Sequence, residues 1–315
     1  MHNDQDQERK LLINVAQDYY LSHLSIKEIA DKYKISRYHI NKYLTQAIDT
    51  GIVEIKISRK VQRNFAYEQE IKKQFNLKNV YVIKESNEID HHNLFKFTAE
   101  QLQRALNDAN VVGVTWGATL MQIINLFTNL NTKKQIKFVQ FLGNDLNYSK
   151  KANISQVITK LSSLPINGSF SFLNAPLYIF NNLTKTLLSR EASMAEVLSQ
   201  ASQMDLLIAS IARPKALNIT PWKDNLASIL GEDTDIEAVA GLSFGRPYDV
   251  NGNFVNLKND KAFGLTINEI MSIPKRICIV VKESKNKAVL GAMRGGMYTD
   301  YLITDKIAKY ILDRI

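Results

Sequence analysis

Residues 25–40 read Ser25-Ile26-Lys27-Glu28-Ile29-Ala30-Asp31-Lys32-Tyr33-Lys34-Ile35-Ser36-Arg37-Tyr38-His39-Ile40, and their spacing predicts two helices joined by the short connection Lys34-Ile35-Ser36. Ser25 and Glu28 stand as a capping box, in which the hydroxyl accepts from the amide three residues on and the carboxylate reaches back to the amide of the cap. Ile26, Ile29, Ala30 and Tyr33 then recur at helical spacing. Ser36 is placed to cap the next helix, whose stripe is Ile40, Leu44, Ala47 and Ile48, and Gly51 supplies its stop. Upstream, Leu11, Leu12, Val15, Ala16 and Tyr19 mark another amphipathic helix; downstream, Val53, Ile55 and Ile57 alternate with Glu54 and Lys56 as a half-buried strand. Two helices joined so tightly, a third packed behind and a strand as wing describe a winged helix-turn-helix over residues 1–57. Ala30 is small where the helices cross, and Ile35, Ile40 and Tyr43 are expected to face inward. Lys34 departs from the glycine common in such turns; a left-handed conformation there costs a non-glycine residue roughly 1–2 kcal/mol.

With Ile40, Leu44 and Ala47 inward at about 100° per residue, the helix after Ser36 turns Tyr38, Lys42 and Thr45 outward, flanked by His39, Asn41 and Gln46. Its amino end reaches deepest into the major groove, where base edges present a code of donors and acceptors. Ser36, Arg37, Tyr38, His39, Asn41 and Lys42 are therefore the candidate DNA-binding residues, with Arg37 suited to guanine and Asn41 to adenine. Lys42, Lys56, Arg59 and Lys60 suit phosphates, which position the protein without reading sequence. The competing reading is the solvated face of a helical interaction module; spacing, cap, crossing alanine and wing together favour DNA.

The chain exceeds the size at which one core stops growing: 315 residues, 45% hydrophobic and 23% charged, predict two folded units and exclude a disordered chain. Residues 58–64 are polar and basic and mark the boundary, so residues 58–76 are expected as a linker with a linker helix and residues 77–315 as the larger domain. There 80–83, 111–114, 136–142, 205–211, 236–242, 276–281 and 300–303 read as strands, and 92–106, 120–130, 191–201, 285–293 and 305–314 as helices. The alternation predicts a doubly wound α/β domain on a parallel sheet.

Composition narrows the function classes. The net charge of +9 favours polyanions. It does not locate them, because residues 1–60 hold ten basic and eight acidic side chains. A single cysteine, Cys278, cannot form an internal disulfide, and no secretory leader pattern opens the chain, so a reducing cytoplasm is expected. Apolar runs such as 277–281 fall far short of the roughly 20 residues of a membrane-spanning helix. The five histidines, His2, His23, His39, His91 and His92, offer no metal-binding set, so neither metal nor cofactor is expected.

In the larger domain, Val111 to Leu120 runs from a strand through Gly113 and Gly117 into a helix, a turn whose amides, with the Thr115 and Thr119 hydroxyls, suit an anion. Two glycines there serve more often simply as turn residues, so this reading needs support from elsewhere. Arg246, in Phe244-Gly245-Arg246-Pro247-Tyr248-Asp249, and Lys282 and Lys285, after a strand's carboxyl end, are further anion candidates beside the ordinary alternative of surface cations. Cys278, between Ile277 and Ile279, reads as buried packing.

This ordered set of motifs resembles the SorC family of bacterial transcriptional regulators, which includes deoxyribonucleoside and central glycolytic gene repressors. The likeness covers nearly the whole chain. It rests on Ile29-Ala30 through Ile35-Ser36-Arg37, on Gly51-Ile52-Val53-Glu54-Ile55 and on Gly113-Val114-Thr115-Trp116-Gly117-Ala118-Thr119. Pro176-Leu177-Tyr178, Gly245-Arg246-Pro247-Tyr248-Asp249, the run from Lys285 to Gly296 and Leu302-Ile303-Thr304-Asp305 follow in the family's order. The resemblance implies a winged DNA-binding domain followed by an effector domain similar to sugar-phosphate isomerases, assembled as homodimers or homotetramers, with a small phosphorylated sugar altering operator binding. Carried over by position, Gly117, Thr119, Gln140, Arg246 and Lys285 match its ligand-site pattern. Four departures stand out. Ser210-Ile211-Ala212 replaces a usual Gly-Ile-Gly, Gly241-Leu242 a frequent Gly-Asp, and Val281-Lys282 the twin glycines before Lys285. Leu142 falls where some members carry the lysine that forms a Schiff base, so the effector is expected to bind non-covalently.

The function expected is sequence-specific regulation of a carbohydrate-related operon, with operator DNA and a phosphorylated sugar as partners and no catalytic residue. The departures leave open a degenerate or protein-contacting effector domain. A phosphosugar isomerase-like enzyme is the remaining alternative; it needs a positioned base, and without a histidine after His92 that falls to a carboxylate such as Asp145, Glu232 or Asp249.

Overall fold

The computed structural model describes residues 2–53, 61–84, 91–127, 134–144, 153–218 and 221–315. It divides into two units, Met1–Arg59 and Lys60–Ile315.

The first unit holds α1 (His2–Tyr20), α2 (Ile26–Tyr33) and α3 (Arg37–Asp49). The capping box is formed: Ser25 Oγ accepts from the Glu28 amide at 3.2 Å, and the Ser25 amide donates to Glu28 Oε2 at 2.8 Å. Val15, Ile29, Ala30, Ile40 and Leu44 make the core, with Ile35 and Tyr43 packed against it. Across the helices, Asp18 of α1 accepts from Lys32 Nζ at 2.8 Å and from Tyr33 Oη at 2.7 Å on α2. These bonds, Lys32 foremost, hold the Asp18 carboxyl below its ordinary range. Of the expected wing strand, residues 54–57 lie outside the described residues.

Lys34 itself takes the left-handed conformation, with φ 54° and ψ 41°, where the turn requires it. Lys34→Gly removes that strain of roughly 1–2 kcal/mol and adds about 0.5–1 kcal/mol of unfolded-state freedom, for a net gain of about 0.5–1 kcal/mol. Exchange of the core amides of α2 and α3 is expected to slow about two- to fivefold.

The second unit runs α4 (Phe65–Gln74), β1 (Asn79–Ile83), α5 (His91–Asp108), β2 (Val111–Val114), α6 (Ala118–Ile124), β3 (Ile136–Val139), α7 (Ile154–Ser162), β4 (Gly168–Ser171), α8 (Asn182–Arg190), α9 (Ala192–Ala201) and β5 (Leu206–Ala209). It continues α10 (Leu226–Leu230), β6 (Gly241–Ser243), β7 (Arg246–Tyr248), α11 (Ile267–Ser272), β8 (Lys275–Val280), α12 (Asn286–Arg294), β9 (Asp300–Thr304) and α13 (Asp305–Leu312). Seven strands form one sheet in the order β1-β9-β8-β5-β2-β3-β4, and every neighbouring pair is parallel. A parallel sheet is covered on both faces, so its strands read as unbroken apolar runs. Alternate residues divide accordingly: Leu207, Ala209, Cys278, Val280 and Tyr301 join one core, while Leu206, Ile208, Ile277, Ile279 and Leu302 join the other.

Several expected boundaries shift. Residues 236–242 are not a strand of the main sheet: a short helical turn at Ile236–Ala238 leads into β6, which pairs antiparallel with β7. Apolar spacing alone does not distinguish a buried hairpin from a sheet strand. β3 ends at Val139, and beyond it the Gln140 side chain bonds carbonyls of the loops that follow. α6 ends at Ile124, and residues 128–130 of the expected helix lie outside the described residues. The helix read as a linker, α4, is packed into the second unit: Ile71 is fully buried, and Glu68 Oε1 accepts from the Val82 amide of β1 at 2.9 Å.

Candidate functional site

Two surfaces carry the candidate residues, one in each unit. On α3, Ser36 is the cap, accepting from the His39 amide at 3.3 Å and lying 2.8 Å from His39 Nδ1. Tyr38 sets its ring edgewise to His39 and is 74% exposed. Arg37, Asn41 and Lys42 are exposed, and Tyr38, Asn41, Lys42, Thr45, Gln46 and Asp49 border one shallow depression. All six sequence candidates thus share the amino-terminal part and outer face of one helix, whose inner face is held by Ile40, Leu44 and Ala47. Ser36 and His39 are tied to each other, which leaves Arg37, Tyr38, Asn41 and Lys42 to reach outward.

In the second unit the strand order reverses between β2 and β5: β3 and β4 continue to one side of β2, while β5 pairs on the other. In open α/β sheets the crevice beyond the carboxyl ends of strands at such a point is the place for ligands. Here it holds a cavity of about 470 Å³. Residues 115–119 enter it from the end of β2, Ser210 to Arg213 with Lys215 and Ala216 from β5, and Lys282 and Lys285 from β8. The Ser210 amide, donating to Thr115 Oγ1 at 3.3 Å, ties the first two segments together. Leu142, Leu177, Tyr178, Trp222, Leu242, Phe244 and Gly245 complete the wall.

The chain has two tryptophans, and both line this cavity. Four cations, Arg213, Lys215, Lys282 and Lys285, stand on its wall, and among the described residues no carboxylate does. Lys285 Nζ donates to Ser210 Oγ at 3.3 Å. Burial, aided by Lys282 and Arg213, pulls the Lys285 ammonium down to about 8. Gly117 has φ 135°, a conformation other residues rarely adopt, and open space beside its Cα.

Of the five effector candidates, Gly117, Thr119 and Lys285 meet at the cavity. Gln140 and Arg246 do not. Gln140 is 2% exposed, and its Nε2 donates to the carbonyls of Leu142 and Leu173. Arg246 is equally buried; its Nε and Nη2 donate to Asp260 at 2.9 and 2.7 Å, and further bonds go to the carbonyls of Phe244 and Leu265. Both hold loops that shape the site. Arg213, Lys215 and Trp222 were not singled out by sequence reasoning; the signal available was their place after a strand's carboxyl end.

Two of the carboxylates considered as a catalytic base, Asp249 and Glu232, are placed elsewhere. Asp249 accepts from the amides of Asn251 and Asn253 within a turn, Glu232 is outside the cavity wall, and Asp145 lies outside the described residues. Cys278 is buried in the core, and burial raises its thiol. Among the described residues no histidine, cysteine and carboxylate cluster suits a metal, and no helix is long and apolar enough to cross a membrane.

A family model describing a sugar-binding domain matches residues 59–313. The sorbitol operon regulator of Klebsiella pneumoniae is 22% identical over 301 residues, covering 94% of this chain and 95% of that protein. Transcriptional regulator LsrR of Escherichia coli (strain K12) is 24% identical over 304 residues, covering 95% and 93%. The solved full-length sorbitol operon regulator SorC from Klebsiella pneumoniae has the same fold: TM-score 0.74 at 20% identity, with 96% of this chain and 98% of that chain covered. A DeoR family transcriptional regulator from Listeria monocytogenes matches with TM-score 0.65 at 23% identity, over 78% of this chain and 98% of that one.

Proposed function

This chain belongs to the SorC family of sugar-binding transcriptional regulators, and from that premise we propose that it binds the operator of a carbohydrate-related operon in the cytoplasm, with an affinity set by a small phosphorylated sugar. The observation that carries the effector reading is the convergence of Gly117, Thr119 and Lys285, from segments far apart in sequence, on one cation-lined cavity at the switch point of the sheet. The phosphate meets Lys285 and the Thr119 hydroxyl. The tryptophan, leucine and tyrosine wall excludes water around the carbon skeleton. No enzymatic step is assigned: that chemistry needs a positioned base, and the carboxylates weighed for it, Glu232 and Asp249, are not on the cavity wall.

Operator recognition falls to α3, with Arg37 and Asn41 on base edges and Lys42 on phosphate. One helix-turn-helix reads one half-site, so the active species is a homodimer or homotetramer spanning half-sites about 34–36 Å apart per helical turn. The ligand shifts operator affinity only by its differential affinity for two states of the assembly.

Operator titration tests the DNA reading. With a site selected from random-sequence DNA, Arg37→Ala is expected to cost about 1–3 kcal/mol on that site and little on competitor DNA. Lys42→Gln is expected to weaken both alike and to reduce the salt slope by about one. Equal binding to selected and competitor DNA at physiological salt by the unaltered protein would refute the reading.

A further inference from the structure

The second unit has another cavity, of about 530 Å³, between α8 and residues 257–268. α8 buries none of its residues. Asn182, Lys185, Thr186 and Ser189 recur along it at the spacing of one helical face, and all four line this cavity together with Arg246, Asp260 and Phe263. Its wall shares no residue with the cavity at the switch point of the sheet. The turn of the β6–β7 hairpin borders both: Phe244 and Gly245 line the first cavity, and Arg246 lines the second.

The charges around this second cavity do not balance. Arg246 is 2% exposed, Lys261 just behind the wall 8%, and the Lys185 side chain 25%. Among the described residues Asp260 is the one carboxylate paired with any of them, at 2.7 Å from Arg246 Nη2 and 3.9 Å from Lys185 Nζ. Its oxygens are already engaged, Oδ2 by Nε and Nη2 of Arg246 and Oδ1 by the Ala262 amide. Lys185 donates instead to the Asp260 carbonyl, and Lys261 to Phe180 O at 3.0 Å and Asn182 Oδ1 at 2.8 Å. Such oxygens accept the protons of an ammonium without neutralising its charge. Burial weakens the hold of Lys185 on its proton, and Arg246 and Lys261 add to that effect against Asp260 alone. Arg276, also bonded to carbonyls, spends Nε, Nη1 and Nη2 on them. Lys185 makes one hydrogen bond among the described residues and so keeps two N–H groups for a partner in the cavity that it lines.

We infer that this cavity is a second anion site, separate from the effector cavity, which takes a phosphate dianion, free or as the terminal group of a small phosphomonoester, on Lys185 from within and the exposed Lys258 at the rim. A phosphate brings about −1.5 to −2 charges at pH 7 to a cluster in which three cations share one carboxylate. The buried Phe263 ring beside them gives the field a low-dielectric wall, which concentrates anions. The bonds from Lys185 to the ligand are charge-assisted on both sides, the stronger class of hydrogen bond. The site stands whether or not the first cavity binds an effector.

Amine acylation of the full chain, read lysine by lysine by peptide mass spectrometry, tests it. Inorganic phosphate or glycerol 1-phosphate replaces chloride at constant ionic strength, with the exposed Lys309 as reference. Labelling of Lys185 is expected to slow about tenfold with phosphate at about ten times its dissociation constant, with Lys309 unchanged. The same protection is expected in Lys285→Met, which removes a cation of the first cavity. Protection by both compounds assigns the site to free phosphate, and protection by the ester alone assigns it to a phosphomonoester. As a second measurement, phosphate is expected to raise the thermal midpoint of Lys285→Met, and Lys185→Gln added to that variant is expected to abolish the rise. Lys185 labelled at one rate with and without either compound overturns the site, as does protection that disappears in Lys285→Met or a thermal rise that survives Lys185→Gln. Protection of Lys285 alone overturns the second site and leaves the effector reading standing.

Discussion

Arg246→Met is expected to lower the stability of the second unit by roughly 3 kcal/mol with no ligand present, although by resemblance Arg246 belongs to the effector site. The residue is 2% exposed, and its guanidinium makes four hydrogen bonds to three groups: Asp260 through Nε and Nη2, Phe244 O through Nη1 and Leu265 O through Nη2. Removing one partner of a buried pair costs about 3–5 kcal/mol, because the other is left buried and uncompensated. The lower figure applies here. Asp260 keeps Lys185 at 3.9 Å and the Ala262 amide at 2.9 Å, and its side chain is 21% exposed. The double variant Arg246→Met with Asp260→Leu is expected to recover part of the loss, since it removes both charges. Urea unfolding of the two variants decides the matter: a denaturation midpoint unchanged by Arg246→Met would return the residue to a ligand role.

Lys285→Met is expected to abolish the effector's influence on operator binding and, at pH 7, to stabilise the ligand-free protein. The ammonium's fall from 10.5 to about 8 reflects burial first, then Lys282 and Arg213. A gap of that size corresponds to roughly 3 kcal/mol of disfavoured charge, reduced to about 2 kcal/mol by the partial exposure of the side chain. The unfolded chain holds the extra proton between pH 8 and 10.5, so stability rises with pH through that window and the penalty is fully present below it. Methionine removes both the penalty and the slope. An anionic ligand prefers the charged lysine. Its affinity is therefore expected to be level from about pH 7 to 8, where the phosphate is mostly dianionic, and to fall above that, with proton uptake on binding near pH 8, measurable by titration calorimetry in buffers of different ionisation enthalpy. Among the described residues, Cys278, Lys282 and Arg213 are the charged or titratable groups acting on this lysine, and no carboxylate opposes the change. A binding curve flat to pH 10 would exclude Lys285 as the anion's partner.

Arg246 and Lys285 are similar in chemical character but not in role. Arg246 and Lys285 both follow motifs that suggest anion binding, yet one is committed to Asp260, 14 residues on, and the other faces an open cavity. Gln140 parallels Arg246, being spent on the carbonyls of Leu142 and Leu173. Arg213 and Trp222 show the reverse: no periodicity marks them, and only the return of β5 beside β2 places their loop opposite Thr115 and Gly117.

The features legible in residue order are those whose physics is local. The capping box at Ser25, the cap at Ser36 and the stripe from Ile40 to Ala47 act within a few residues of one another, so the helix-turn-helix and its outward face can be read directly. β1, β2, β5, β8 and β9 are legible for a related reason: burial on both faces demands unbroken apolar runs. β4, the short edge strand Gly-Ser-Phe-Ser, lacks that signal, and the β6–β7 hairpin mimics it. Which polar side chains serve the site and which serve the scaffold is fixed by chain packing, because hydrogen bonds and ion pairs are satisfied by whatever group the fold brings within about 3 Å, whatever its distance along the chain.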